Sequence, residues 1–363
     1  MNLNQIQNSI VFVRACYDLP NLDSKERIQD SLATVNKLLD NNNQVILLSH
    51  WGRPEGQRVP ELSLEKMLSL VQGEFETEVE FINQYDFFEK DLSLRDLTKV
   101  SKTRLFLYEN TRFSGVEASK NLFERDVLVQ KYKQIADYFV DEAFPLSHRQ
   151  EVTNYDLKKA MASTYGVSYK NEVTNLYKIK SDPERPLVVL MAGSKLETKL
   201  PLIEKMCQKA DKVLIGGELC FTFLQAAGSN IDLHDSKVED SFLDTAKVLL
   251  EKYSDKIVLP IDFVYGELNG KKAALDLGSQ SLALFKSELG KAKSIFWNGP
   301  LGYYLEKPYE KGTLEIAEFV ANLSDTYTVL GGGDSVAVIP SDTLAKFDFV
   351  SMGGGATLEY LAG

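Results

Sequence analysis

Apolar residues in this chain fall into short continuous runs, separated by longer stretches where they recur every three or four positions. The runs are Ile10–Ala15, Gln44–Ser49, Arg104–Tyr108, Tyr138–Val140, Leu187–Ala192, Lys212–Ile215, Lys256–Pro260, Ser294–Trp297, Tyr327–Leu330 and Phe347–Val350. Most lack polar alternation, as expected of strands buried on both faces of a parallel sheet. Helical patterns lie between them, at Lys25–Asp40, Asn121–Asp137, Leu200–Lys209, Asp240–Tyr253, Ser279–Leu289 and Glu310–Leu323. Such alternation predicts parallel α/β units with right-handed crossovers. It breaks near Glu172–Pro186, where Glu172–Lys180 reads as a linking helix. The expected fold is α/β, with two doubly wound parallel-sheet (Rossmann-like) domains joined by a hinge helix. The domains are expected over residues 1–170 and 186–363, the linker over 171–185, and the final residues near the hinge. A length of 363 residues suits two domains.

One device occurs twice near the end of the chain. Thr328–Leu330 runs into Gly331-Gly332-Gly333-Asp334, and Phe347–Val350 runs towards Gly353-Gly354-Gly355; a helical pattern follows each. Glycine lets backbone N–H groups approach an anion, and a helix N-terminus aims free N–H groups and a positive dipole at it. Phosphate is the usual guest. One such turn alone would read as tight packing. Two at corresponding positions, one bearing Asp334, point to a polyphosphate held with a metal ion.

Composition narrows the partners. The net charge of −11 argues against a surface built for nucleic acid or anionic membrane. Cys16, Cys207 and Cys220 form no CxxC pair and read as reduced thiols of a cytoplasmic protein. The first residues lack a signal-peptide pattern, and no apolar run approaches membrane-spanning length. In an acidic protein, clustered cations are informative. Arg27 opens the first helix, His50 and Arg53 follow the second strand, Arg112 the third and Arg149 the fourth. Convergent guanidinium groups grip phosphate and carboxylate, so a small acidic phosphometabolite is the natural guest. Pairing of each arginine with Glu26, Glu55 or Glu142 is the plainer alternative.

The second half carries different chemistry. Strand Leu187–Met191 leads to Gly193-Ser194-Lys195, with Lys199 four residues on. A helix starting here puts both lysines on one face. They suit a phosphate chain, although a solvated face is plausible for Lys199. The GxxxxGK[ST] pattern is absent. Gly216-Gly217 offers bare backbone to a flat base. The loop Asn298-Gly299-Pro300 reads equally as a floor under a nucleotide, a hinge or a structural turn.

Several stretches together resemble the phosphoglycerate kinase family: VRACYDLP at Val13–Pro20, SHWGRP at Ser49–Pro54, ENTRF at Glu109–Phe113, DEAFPLSHR at Asp141–Arg149, GSK at Gly193–Lys195, LPIDF at Leu259–Phe263, FWNGPLG at Phe296–Gly302, GGGDS at Gly331–Ser335 and VSMGGGA at Val350–Ala356. The likeness runs nearly end to end. It implies reversible phosphoryl transfer between 1,3-bisphosphoglycerate and Mg-ADP, giving 3-phosphoglycerate and ATP, by a monomer whose domains close about a hinge. By the resemblance, Arg27, His50, Arg53, Arg112 and Arg149, with Asp18, would hold the phosphoglycerate. Arg27, Lys195 and the N–H groups at Gly354 and Gly355 would stabilise the moving phosphoryl. Lys199 and Gly193 would hold nucleotide phosphate. Gly216, Gly217, Leu275, Asn298, Pro300, Gly332 and Gly333 would line the nucleotide, and Asp334 would serve Mg²⁺.

The sequence departs from the family in both halves. Cys16 replaces an aspartate and Asp18 an asparagine; Pro145 and Leu146 replace Gly-Thr. Thr198 replaces an aspartate, Glu218 a glycine, and Leu305 aligns with an acid that touches ribose. Met352 replaces a hydroxyl residue, and the sequence stops at Gly363 before the usual tail, which bears on closure. A nucleotide- or phosphoglycerate-binding protein with little turnover, and a kinase of another carboxylate, are the alternatives these departures raise.

Overall fold

The computed structural model describes residues 2–22, 24–83 and 101–363. The chain divides into two compact units, Met1–Val173 and Thr174–Gly363. The first is built on β1 (Ile10–Arg14), β2 (Gln44–Leu48), β3 (Val79–Ile82), β4 (Leu105–Tyr108), β5 (Tyr138–Asp141) and β6 (Ala162–Tyr165). They form one parallel sheet in the order β3-β4-β2-β1-β5-β6. All five residues of β1 are buried. Successive side chains point to opposite faces. Val11 and Val13 therefore pack with Ile28, Val35 and Leu38 of the helix Glu26–Asp40, while Ile10 and Phe12 pack with Leu128, Val129 and Tyr132 of the helix Leu122–Lys133.

The second unit contains β7 (Leu187–Met191), β8 (Lys212–Ile215), β9 (Ile257–Val258), β10 (Phe263–Leu268), β11 (Lys271–Leu277), β12 (Ser294–Asn298), β13 (Tyr327–Gly331) and β14 (Phe349–Ser351). Six of these make a parallel sheet, β14-β13-β12-β7-β8-β9, and β10–β11 is a separate antiparallel hairpin. Both sheets are doubly wound. The strand order reverses between β1 and β5 in one and between β7 and β12 in the other. Such reversals open a crevice at the carboxyl ends of the strands, where ligands bind.

Several elements depart from the sequence expectation. Edge strands β3 and β6 lack a buried apolar run; β6 exposes both its ends, so only its pairing to β5 identifies it. The β10–β11 hairpin did carry a signal, Asn269-Gly270 between extended segments. Both residues have positive φ (53° and 74°), the requirement of a two-residue primed turn. The helix expected from Leu200 begins at Leu196, with Pro201 inside it. The expected helix Asp240–Tyr253 starts with a 3-10 turn, Asp240–Phe242, and becomes α-helical over Leu243–Lys252. The linking helix begins at Val167 rather than Glu172, and the boundary between the units falls within it.

That early start has a local cause. The Glu142 carboxylate accepts hydrogen bonds from Ser168 N–H (3.0 Å), Tyr169 N–H (3.4 Å) and the Thr34 hydroxyl (2.7 Å). Thr34 Oγ1 in turn accepts from Val167 N–H at 2.7 Å. Together they satisfy free N–H groups at the helix start and place a carboxylate there. Glu142 is therefore a helix cap, not the arginine partner considered from sequence. Gly166 makes room for it: a Cβ there would lie 1.7 Å from Glu142 Oε2. Gly166→Ala is expected to displace the carboxylate and cost about 1–3 kcal/mol, in the range of lost caps and buried hydrogen bonds. The urea unfolding midpoint reports it; an unchanged midpoint would refute the capping role.

Candidate active site

The first half-site forms where the loops after β1, β2 and β5 leave the sheet. Arg14, the last residue of β1, is fully buried. Its guanidinium donates to Thr153 Oγ1 (3.0 Å), to the Ala15 carbonyl (2.6 Å) and to His50 Nδ1 (3.2 Å). An arginine only donates, so His50 Nδ1 accepts and the ring proton sits on Nε2. Nε2 faces Asp18 Oδ2 at 3.5 Å. Burial, helped by the charges of Arg14 and Arg112, pulls His50 down to about 4 despite Asp18. His50 is thus a neutral hydrogen-bonding group at pH 7 rather than one of the cations. Burial would raise Asp18, but the His50 N–H, the Gly52 N–H (2.9 Å) and Arg27 outweigh it and hold the carboxyl well below its usual range.

The arginines meet on a residue that the sequence reading missed. Arg112 donates to the Gly52 carbonyl (2.9 Å) and to Glu151 Oε1 (2.5 Å). Arg14 lies 3.8 Å from Glu151 Oε2, and Arg149 lies 4.0 Å from Oε1. Glu26, Glu55 and Glu142, the plainer alternative from sequence, do not play this part. Glu151 stands two residues after Arg149, a spacing that no regular element flags. Burial would raise its pKa, yet Arg14 and Arg112 carry it below the ordinary value. Arg27 donates to the Asp18 carbonyl (2.6 Å) and points at Cys16 Sγ (3.6 Å). Arg53 is exposed beside Gly52.

The second half-site lies at the β7/β12 reversal. Ala192 N–H donates to the Asn298 carbonyl at 2.8 Å, joining the two strand ends. The loops that follow approach too closely for side chains. A Cβ on Gly299 would lie 2.0 Å from the Ala192 oxygen, and one on Gly217 would lie 2.4 Å from Gly193 N, with φ at +60°. Lys199 is buried beneath these loops and donates to the Ala192 carbonyl. Burial pulls its pKa down to about 8, Asp334 resists, and Lys195 adds to the lowering. Lys195 itself is exposed at the helix N-cap. The solvated position, open to Lys199 as the alternative from sequence, is taken by Lys195, while Lys199 faces inward from the helix Leu196–Lys209.

Asp334 lies in the first turn of the helix Gly333–Val338 and accepts from Tyr304 O–H at 3.2 Å. Gly332 is that helix's N-cap, against Asn298 Nδ2. Gly333 has no atom within 4 Å of a Cβ position and no positive φ. Among the described residues no packing contact demands glycine there. Gly354 caps the second glycine-led helix, Gly355–Ala362.

A cleft of about 420 Å³ opens beside Gly193 and Asp334, a volume typical of small-molecule sites. Gly217, Phe221, Leu275 and Pro300 are among its walls, and Leu275 is delivered by the hairpin missed in the sequence. Gly216 is packed against Leu301 instead, and Asn298 is buried behind the wall. Glu218 lines the cleft and pairs with Lys237 at 3.1 Å, while Leu305 is 71% exposed on its rim.

A family model described as phosphoglycerate kinase matches residues 1–363. The phosphoglycerate kinase of Finegoldia magna is 34% identical over 381 aligned residues, covering 99% of this chain and 94% of that protein. That of Corynebacterium efficiens is also 34% identical, covering 97% of this chain and 93% of that protein. Solved structures of phosphoglycerate kinase from Coxiella burnetii and Pyrococcus horikoshii superpose with a TM-score of 0.83 at 28% and 26% identity, each covering 99% of this chain and 94% of that one.

The arginine cluster rests on a second buried acid. Glu117 accepts from the Thr153 hydroxyl and N–H, and Thr153 in turn meets Arg14. Burial pushes Glu117 up to about 7, against the pull of Arg14 and with a further push from Glu151. The folded chain thus binds a proton that the unfolded chain releases near pH 4.5. This contribution to stability is present below that pH and is lost as pH rises through about 7. Glu117→Gln should leave stability unchanged near pH 5 and raise it by about 1–3 kcal/mol at pH 8. Urea unfolding of both proteins at the two pH values checks this; equal differences would contradict it.

Proposed function

The chain belongs to the phosphoglycerate kinase family, and we propose how its residues divide the reversible transfer of a phosphoryl group between 1,3-bisphosphoglycerate and Mg-ADP in glycolysis. The reaction makes it a phosphotransferase with a carboxyl acceptor, yielding 3-phosphoglycerate and ATP. In our reading, the loops around Arg27, His50, Arg53, Arg112 and Arg149, with Asp18, take the phosphoglycerate. The cleft beside Gly193, Gly217, Leu275 and Pro300 takes the nucleoside. Lys199 and the N–H groups at Gly332 and Gly333 take the nucleotide phosphates. Lys195, Arg27 and the helix start at Gly354 and Gly355 serve the phosphoryl in transit.

The observation that carries this reading is the setting of Lys195, Lys199 and Asp334 around bare backbone at a strand-order reversal. Phosphoryl transfer needs positioning and stabilisation of charge on the equatorial oxygens, with little covalent help. Two lysines, an arginine and oriented N–H groups meet that need without a general base. Asp334 would hold Mg²⁺, which supplies charge neutralisation when it arrives on the nucleotide. A lone accessible carboxylate suits that ion, which is commonly held by one or two carboxylates plus phosphate oxygens. Among the described residues no group of three His, Cys, Asp or Glu forms a metal cage. The reading includes a cytoplasmic monomer, with Val167–Lys180 as the hinge and no nucleic-acid partner. No helix among the described residues is long and apolar enough to cross a membrane.

Steady-state transfer from Mg-ATP to 3-phosphoglycerate tests the assignment, with Asp334→Ala as the blank. Lys195→Ala is expected to lower kcat by about 10²–10³-fold, the loss typical of removing one transition-state donor. Its dissociation constant for 3-phosphoglycerate should stay within about twofold, because the lysine serves charge that develops only during transfer. Equal loss of transfer and of phosphoglycerate binding would contradict the assigned role.

A further inference from the structure

Glu151 is a buried carboxylate among the arginines of the phosphoglycerate half-site, and its bonding is lopsided. Its side chain is 7% exposed. One oxygen takes the Arg112 guanidinium at 2.5 Å. The other has no hydrogen bond and lies 3.8 Å from Arg14. Arg149 approaches to 4.0 Å without closing, and its Nε is buried without a hydrogen-bond partner. Arg112 is committed, with one terminal nitrogen on the Gly52 carbonyl and the other on Glu151. Arginine grips an anion best with two parallel N–H groups, and Glu151 occupies that edge.

Charge counting gives the arrangement a meaning. Three guanidinium groups, those of Arg14, Arg112 and Arg149, face one carboxylate, which leaves two positive charges unmatched. Other nearby groups do not close the excess at neutral pH: His50 is neutral, and Glu117, pushed up to about 7 by its burial, offsets only part of it. A phosphate monoester carries about two negative charges at pH 7. We propose that Glu151 is a built-in counter-ion that holds the Arg112 edge in the free protein and yields it to the phosphate of the acid substrate by moving to Arg14. Glu151 is then a positioning and selectivity residue. It offsets the mutual repulsion of one buried and two partly exposed guanidinium groups, and it competes with every anion that enters. A monoanionic acid lacks the second charge needed to displace it, so the carboxylate discriminates for a phosphorylated acid. The inference rests on the phosphoglycerate reading of this half-site.

Glu151→Gln removes the charge and keeps an oxygen for Arg112. Titration calorimetry with 3-phosphoglycerate and, separately, with ADP reads the effect. The dissociation constant for 3-phosphoglycerate is expected to fall about tenfold and to depend more steeply on salt, as loss of a competing like charge dictates. The constant for ADP and the KM for ATP should not move, whereas the KM for 3-phosphoglycerate should fall. Glycerate, which lacks the phosphate, should gain by a larger factor, narrowing the discrimination. Should the glutamine variant fail to fold, Glu151→Asp shortens the arm, withdraws the charge from Arg112 and should tighten 3-phosphoglycerate in the same direction by less. Unchanged or weaker 3-phosphoglycerate binding in the folded variant overturns the proposal. If the wild-type protein binds ADP but neither it nor a variant binds 3-phosphoglycerate, the substrate reading fails and the proposal with it.

Discussion

The central strands of both sheets are buried on both faces, and that confines the chemistry. β1, β7 and β12 have every residue buried. Interior strand positions are taken by side chains that pack, so polar function has to gather where the strands end. Because all main-sheet strands run parallel, those ends lie along one edge of each sheet. The reversal in strand order then opens one crevice per unit, between β1 and β5 and between β7 and β12. Both half-sites stand there.

The two crevices solve opposite problems. At β7/β12 the difficulty is space: the loops at Ala192–Gly193, Gly217 and Gly299 touch backbone to backbone, and a methyl group at Gly217 or Gly299 would collide. Close loops leave N–H groups and two lysines as the features that a phosphate chain can meet. At β1/β5 the difficulty is charge. Arg14 is buried at a strand end, and Arg112 and Arg149 crowd beside it. A buried cation is tolerable only when paired and hydrogen-bonded. Glu151 and Thr153, from the segment that follows β5, and Glu117, from the loop that follows β4, supply that pairing. The same carboxylates make the site responsive: one pKa is pulled down by arginines, the other pushed up by burial. Environment decides the direction in each case, since both are glutamates.

Much of this architecture was readable from residues alone. Continuous apolar runs identified ten strands, because a doubly buried strand leaves no other pattern. The edge strands β3 and β6 escaped because Glu80 and Ser163-Thr164 interrupt their apolar runs, whereas the edge strands β9 and β14, also partly exposed, keep theirs. The β10–β11 hairpin escaped although Asn269-Gly270 announced it. At the β7/β12 crevice the glycines, Lys195, Lys199 and Asp334 stood out by residue type, and packing accounts for part of them, since Gly217 and Gly299 sit where loops touch and Lys199 bonds the Ala192 carbonyl. Glu151 did not, for a lone glutamate after an arginine resembles any surface pair.

Sequence by itself determined the layered α/β plan, the placement of cations at one set of strand ends and glycines at another, and family membership through motifs spread along the chain. These depend on local periodicity and residue type, which a linear string preserves. Tertiary structure decided which lysine is buried, which acid neutralises the arginines, and that His50 is neutral. Those outcomes depend on distances between residues far apart in sequence and on the exclusion of water around them. Arg14 meets Thr153 across 139 positions of chain and Glu142 caps a helix 26 positions on. Only packing brings such groups into range, and only burial then sets their charge.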